Sequence, residues 1–395
     1  MSPECLKAKT VYLIAGESSG DFIGSKLIEQ LKKQNPNINF IGIGGPLMVE
    51  QGLTPLFDIK EIAIMGLVEV LSKAFKIKRL IKQTIEDIKK AQPDIIVSID
   101  ALGFNYRVLK EIKDWQRTKE KKSVLIHYVA PTVWAWKPKR VKKVAEVYDY
   151  LFCLFDFELP YFEKASNLKT YFVGHPIVES GADKGLAENF YNKYNIIKDK
   201  KIILLMPGSR HGEVSRLLPI FIDCAEKLKK KYKDLEVVIP TVAHLKDFVK
   251  QTLSKYKVNY LVIGKTEDKY NAFAAAKLAI VASGTVSLEL GLAKVKTIVA
   301  YKVNPITAFI AKVLLKIKYA SIINLMADDL IIKEFIQEKC SVENICTEAT
   351  FLLENKELID NRITQVMRSL GQDTFVPSKN AADIIINILK DDKYV

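Results

Sequence analysis

Short runs of isoleucine, leucine and valine recur along this chain, and they are separated mostly by segments whose apolar residues repeat at helical spacing. In the first half the runs are Val11–Ala15, Phe40–Gly44, Ile95–Ile99, Val124–Tyr128, Leu151–Leu154 and Tyr171–Val173. In the second they are Ile202–Met206, Val237–Ile239, Leu261–Ile263, Leu278–Ala282 and Thr297–Tyr301. Apolar strands alternating with helices argue for parallel sheets covered on both faces. The expected fold class is α/β, with two doubly wound Rossmann-like domains.

The two halves correspond in detail, because PDIIVSIDALGF and KLAIVASGTVSLE each set an apolar strand before a polar, glycine-containing turn. A length of 395 residues also exceeds what one ordinary core organises. The stretch GHPIVESGADKG, rich in glycine and proline, marks the boundary, giving a first domain over 1–175 and a second over 176–377. The last helix, Ser378–Lys390 with Ser378 as its N-cap, is left open between packing on the first domain and packing on a partner chain. Ligands of open α/β sheets bind beyond the carboxyl ends of the strands, so the two halves are expected to face a cleft.

A net charge of +14 implies attraction to something anionic: nucleic acid, an acidic lipid surface or a phosphorylated substrate. The aromatic and basic WAWKPKR segment is single and no RNA-binding or zinc-finger pattern accompanies it, so nucleic acid is not an expected partner. The five cysteines are scattered, with no C-x-x-C pair and no histidine at ligand spacing. No apolar run reaches the roughly 18 residues that span a bilayer, and the N-terminus lacks the pattern of a cleaved signal, so cytoplasmic residence is expected. Two basic amphipathic segments, Gly66–Lys90 and Pro305–Lys318, suit either an anionic membrane surface or an ordinary core.

Chemistry concentrates after the strands. In IILLMPGSRHGEVSR, Pro207 and Gly208 end a strand, a helical pattern opens near Glu213, and Arg210 adds a planar donor fork beside the helix start, a setting for phosphate. Asp100 follows its strand directly, as a general base or as a structural cap. Glu17 and Asp21, in the turn GESSGD with Ser19, suit either orienting a sugar or capping the next helix. The loop Ser283-Gly284-Thr285, with Glu289 a turn later, offers small donors for phosphate and a carboxylate for ribose hydroxyls. No histidines pair at i, i+4 and no D-x-D occurs, so neither a metal nor a cofactor is expected.

Together, VYLIAGESSGD, GIGGPLM, IAIMGLVEVL, SIDALGFN, HYVAPTVWAWKPKR, VGHP, LMPGSRHGEV, ASGTVSLE and INLMADDLIIKEFIQE resemble the lipid-A-disaccharide synthases over nearly the full chain. The resemblance implies an inverting, metal-independent glycosyltransferase of GT-B architecture, peripheral on the inner face of the inner membrane. It would join UDP-2,3-diacylglucosamine to 2,3-diacylglucosamine 1-phosphate (lipid X) and release UDP. It places UDP on Arg210, Ser283, Gly284, Thr285, Glu289 and Asn324, and the acceptor near Glu17, Ser19, Asp21 and Asn105. Asp100 would be the base, with Glu17 and Arg210 completing the catalytic set. The implied partners are the two lipid substrates and an anionic membrane surface, with a homodimer left open. One departure stands out: the family usually reads I-D-x-P-D-F-N, whereas Leu102 and Gly103 replace the Pro-Asp pair here. The rival enzyme reading is a UDP-sugar epimerase on the same architecture, and the rival from another class is a non-catalytic basic lipid- or nucleotide-binding protein.

Overall fold

The structure is a computed structural model that describes residues 9–62, 74–135, 138–165, 167–256, 260–304, 308, 318–355 and 360–391. It divides into two compact units, Met1–Pro176 with Phe375–Val395, and Ile177–Thr374. In each, parallel strands form one sheet with helices on its faces.

The first unit carries β1 (Thr10–Ala15), β2 (Asn39–Ile43), β3 (Thr54–Pro55), β4 (Ile95–Ile99), β5 (Val124–Tyr128), β6 (Tyr150–Cys153) and β7 (Lys169–Phe172), in the order β3-β2-β1-β4-β5-β6-β7. β4 and β5 are buried along their whole length, as strands covered on both faces must be. On one face Tyr12, Ile14, Ile96, Leu125 and Leu151 meet Leu80, Ile85 and Ile88 of the helix Ala74–Ala91 and Val108, Leu109 and Ile112 of the helix Leu102–Trp115. The terminal helix Pro377–Lys390 packs on the helix Ser18–Gln34, where Gln34 Nε2 donates to Asp383 at 2.7 Å. This last helix begins one residue earlier than its sequence suggests, with Val376 as N-cap and Pro377 in the first turn, so Ser378 is a buried helical residue and not the cap.

The second unit carries β8 (Lys201–Met206), β9 (Leu235–Pro240), β10 (Leu261–Ile263), β11 (Ala276–Val281), β12 (Thr297–Tyr301) and β13 (Glu334–Ile336), in the order β10-β9-β8-β11-β12-β13. Its core joins Ile203 and Leu205 of β8 to Leu217, Phe221 and Leu228 of the long helix His211–Lys231 and to Ile345 and Ala349 of the helix Val342–Glu354. β3 and β13 do not appear in the hydropathy pattern, because they have only two and three residues and sit at sheet edges.

Both sheets reverse their winding between the first strand and the fourth, at β1/β4 and at β8/β11. Such a switch point splays two successive loops apart and leaves a crevice at the carboxyl ends of the strands. Ala15 pairs with Ile99 and Met206 pairs with Val281, so Gly16 emerges beside Asp100, and Pro207 beside Ala282. The sequence-expected basic segment Gly66–Lys90 is described only from Ala74 onwards, and nearly all of Pro305–Lys318 lies outside the described residues.

Candidate active site

In the first unit the chain leaves β4 through two successive residues in the left-handed region, Asp100 (φ 51°) and Ala101 (φ 43°), before the helix Leu102–Trp115 begins. Non-glycine residues pay for this conformation, and such corners persist where surrounding contacts enforce them. Here Asp100 N–H donates to Tyr128 carbonyl at 2.9 Å, Asn105 Nδ2 donates to Asp100 carbonyl at 2.7 Å, and Phe104 N–H donates to Ala101 carbonyl at 3.1 Å. Gly16 is required just past the end of the neighbouring strand β1, since a side chain there would collide with Ala101 Cβ. Burial pushes the Asp100 carboxyl above the ordinary aspartate range, against the opposing hydrogen bond from the Ala101 backbone. A carboxylate at a switch point with raised basicity has the properties of a general base. Gly103, at the start of the same helix, is exposed, and a side chain built there would meet nothing within 4 Å.

Glu17 is the N-cap of the helix Ser18–Gln34; it is exposed, as is Ser19 in the first turn. Asp21 behaves differently from the expectation that it faces an acceptor. It is 4% exposed, and its carboxylate accepts from Gly45 N–H (2.9 Å), Leu47 N–H (3.1 Å) and Met48 N–H (3.0 Å), closing the start of the helix Pro46–Glu50 from inside. Asn105 is likewise 0% exposed, and its amide donates to the Asp100 backbone carbonyl.

Deeper in this unit Ser98 Oγ lies 2.8 Å from His127 Nδ1 and donates to Tyr148 Oη at 3.2 Å. Burial lowers His127 to about 3, so the ring is neutral and this trio is a core network. Glu158 is another buried titratable group: Trp134 Nε1 and Phe155 N–H each donate to it at 3.3 Å, while desolvation raises it to about 7.

In the second unit β8 ends at Pro207 and Gly208 (φ 115°), where a side chain would run into Glu213. The helix His211–Lys231 opens two residues before Glu213, which reaches back: its Oε2 accepts from Ser209 N–H (3.2 Å) and Arg210 N–H (3.4 Å), and its Oε1 from Arg210 Nη1 (3.1 Å). Two loop N–H groups expected to face an anion therefore already hold a carboxylate. The N–H groups of His211 and Gly212, at the first two helical positions, have no intrahelical acceptor, and the Arg210 side chain stays mostly exposed. This arrangement could have been found from the acidic residue three positions after the cap.

Beside it, Ser283 Oγ donates to Ala320 carbonyl at 2.7 Å, and Gly284 and Thr285 are exposed before the helix Val286–Leu292. Glu289 receives Lys269 Nζ on both oxygens at 2.9 Å and Tyr270 Oη at 3.0 Å, partners that no sequence spacing announced. Asn324, which the resemblance sets beside UDP, has its hydrogen bonds made within the protein. It is 0% exposed, its amide donates to Ile332 carbonyl and to Glu334 at 2.7 Å each, and its oxygen accepts from Ile331 and Ile332 N–H. Glu334 in turn accepts from Ala320 and Ser321 N–H at 2.8 and 2.7 Å. Asn324 and Glu334 thus build the wall that presents Ser283. Among the described residues no three histidine, cysteine or carboxylate side chains gather as a metal site.

Residues 11–385 match the family model described as lipid-A-disaccharide synthetase. Lipid-A-disaccharide synthases of Rhodospirillum centenum and Paramagnetospirillum magneticum are each 39% identical over 389 residues, 97% of this chain and 96% and 98% of theirs. The enzyme of Rickettsia typhi is 38% identical over 391 residues. Among solved structures, UDP-GlcNAc 2-epimerase of Neisseria meningitidis bound to UDP-GlcNAc superposes with a TM-score of 0.63 at 13% identity, over 96% of this chain and 99% of that one. A glycosyltransferase of Rickettsia africae superposes at 0.59 and 12%, over 98% and 100%. The shared fold is thus that of GT-B enzymes, and the whole-length sequence match decides among them: the chain belongs to the lipid-A-disaccharide synthetase family of glycosyltransferases.

Proposed function

We propose that this glycosyltransferase, a lipid-A-disaccharide synthase, moves 2,3-diacylglucosamine from UDP to the acceptor 2,3-diacylglucosamine 1-phosphate in one inverting displacement without a metal ion. The observation that carries the reading is Asp100, a desolvated carboxylate at the β1/β4 switch point whose pKa is raised. An acceptor hydroxyl must lose its proton as the new bond forms, and Asp100 takes it. Exposed Glu17 and Ser19, on the adjacent turn, orient the acceptor sugar. In the second unit Arg210 and the first N–H groups of its helix neutralise the departing diphosphate. Exposed Gly284 and Thr285, with Ser283, take further phosphate oxygens. Glu289 receives the ribose hydroxyls by exchanging part of its hold on Lys269.

Attachment to an anionic membrane surface on the inner face of the inner membrane is part of this reading, supported by the substrates' acyl chains and by the helix Ala74–Ala91. There Phe75 is 90% exposed and stands beside exposed Lys78, Arg79 and Lys82. Among the described residues no helix is long and apolar enough to cross a membrane. The test is UDP release from UDP-diacylglucosamine with and without lipid X. Release that requires lipid X supports the reading. Conversion of the UDP-sugar without acceptor would make the chain an epimerase, and no turnover with tight UDP binding would make it a binding protein.

A further inference from the structure

We propose that Asn105 is a positioning residue for the base: from inside the fold it locks the left-handed corner at Asp100 and Ala101, and so fixes where the Asp100 carboxylate points. The inference rests on Asp100 being the base. Asn105 sits in the first turn of the helix Leu102–Trp115, and helical side chains lean back towards the N-terminus, which brings its amide over the preceding corner. Nδ2 donates to Asp100 carbonyl at 2.7 Å, while Asn105 N–H donates to Ala101 carbonyl at 3.2 Å, so one residue grips both left-handed positions. The amide cannot be turned around, because its oxygen would then face the Asp100 carbonyl.

The other half of the amide shows what the position requires. Asn105 Oδ1 is buried and has no hydrogen-bond donor within the described protein. A buried acceptor without a partner is unfavourable; a leucine of similar volume would remove it but leave the Asp100 carbonyl without its donor, an exchange close to neutral for stability. The side chain is therefore not a stabilising element of the core in its own right; its donor serves the corner. Relaxation of the corner to right-handed values would swing the Asp100 side chain away from its desolvated setting while leaving the helix and sheet intact. Misplacing a reacting group by about 1 Å costs on the order of 10²-fold in rate.

The experiment compares Asn105→Leu, Asn105→Ala, Asn105→Leu with Ala101→Gly, and Asp100→Asn in the full-length protein. It measures thermal melting, UDP affinity, and kcat and KM for the UDP-sugar and for lipid X. Thermal melting reports that the mutated unit is folded in each variant, and UDP affinity, assigned to the other unit, should be unchanged in all of them. Asn105→Leu should melt close to the native protein, keep both KM values within about threefold, and lose on the order of 10- to 10²-fold in kcat. Glycine at 101 adopts positive φ without strain, so adding Ala101→Gly should restore part of the loss. Native kcat in a folded Asn105→Leu or Asn105→Ala protein overturns the proposal, as does a raised lipid X KM with kcat intact, which would make Asn105 a contact residue. If Asp100→Asn is itself near native turnover, the base assignment falls and this proposal with it. If Asp100→Asn is slow while both Asn105 variants are fast, only this proposal falls.

Discussion

Replacing Asp21 with asparagine separates an internal cap from a substrate contact at this carboxylate. Oδ1 accepts from Gly45 and Met48 N–H and Oδ2 from Leu47 N–H. Asparagine has one carbonyl oxygen. In its best orientation it keeps the Gly45 and Met48 bonds in weakened, neutral form and turns its NH2 onto the Leu47 donor. One charge-assisted bond is lost and two donors oppose each other, a cost of about 1.5–3 kcal/mol. A unit of this size shifts its melting temperature by about 2–4 °C per kcal/mol, so Asp21→Asn should melt about 3–12 °C lower. Asp21→Ala, which removes all three bonds, should fall further. Circular dichroism melts at neutral pH supply the first reading, and KM for lipid X the second. Because the carboxylate is buried, KM should hold within about threefold wherever the protein is folded. An unchanged melt with a tenfold rise in lipid X KM would refute the cap and return Asp21 to the acceptor site.

Arg210→Lys keeps the charge and loses the planar fork, so kcat should fall at least about tenfold with UDP still bound; an unchanged kcat would remove Arg210 from the diphosphate. Glu158 titrates near 7 in the folded protein against an ordinary value of 4.5, so its contribution, roughly 3 kcal/mol, is fully present below about pH 4.5 and is lost as pH rises through 7. Glu158→Gln should therefore flatten the dependence of melting temperature on pH between 5 and 8, and an unaltered slope would place the titration elsewhere. Phe75→Ser together with charge reversal of Lys78, Arg79 and Lys82 should shift the protein from anionic vesicles to solution in a sedimentation assay; full retention on the vesicles would exclude this helix as the anchor.

Much of the architecture is legible along the chain because it follows from local pattern. Apolar runs such as Ile95–Ile99 and Ile202–Met206 can only be strands covered on both faces, and in both sheets they are interior strands at a switch point. The identities of Asp100 and Arg210 as strand-end groups follow from the same reading, since each directly follows its strand or its turn. What the chain order does not contain is the competition for each polar group. Glu17 and Asp21 belong to one turn of sequence, yet one is exposed and the other closes a helix start more than twenty residues away. The family resemblance sets Asn324 beside UDP, and only its packing against Glu334 and the Ile331–Ile332 backbone shows that its hydrogen bonds are already made. Glu289 acquires Lys269 from another helix, and Asn105 acquires its grip on Asp100 from a corner with positive φ. Sequence by itself determined the interior strands, their burial and the residue types at their carboxyl ends, because hydropathy periodicity is a local property, whereas the short edge strands β3 and β13 left no such pattern. Tertiary structure alone decided which carboxylates and amides remain available for chemistry, because a hydrogen bond is allotted by distance in space, and the donors that claimed Asp21 and the acceptors that claimed Asn324 are brought near by the fold.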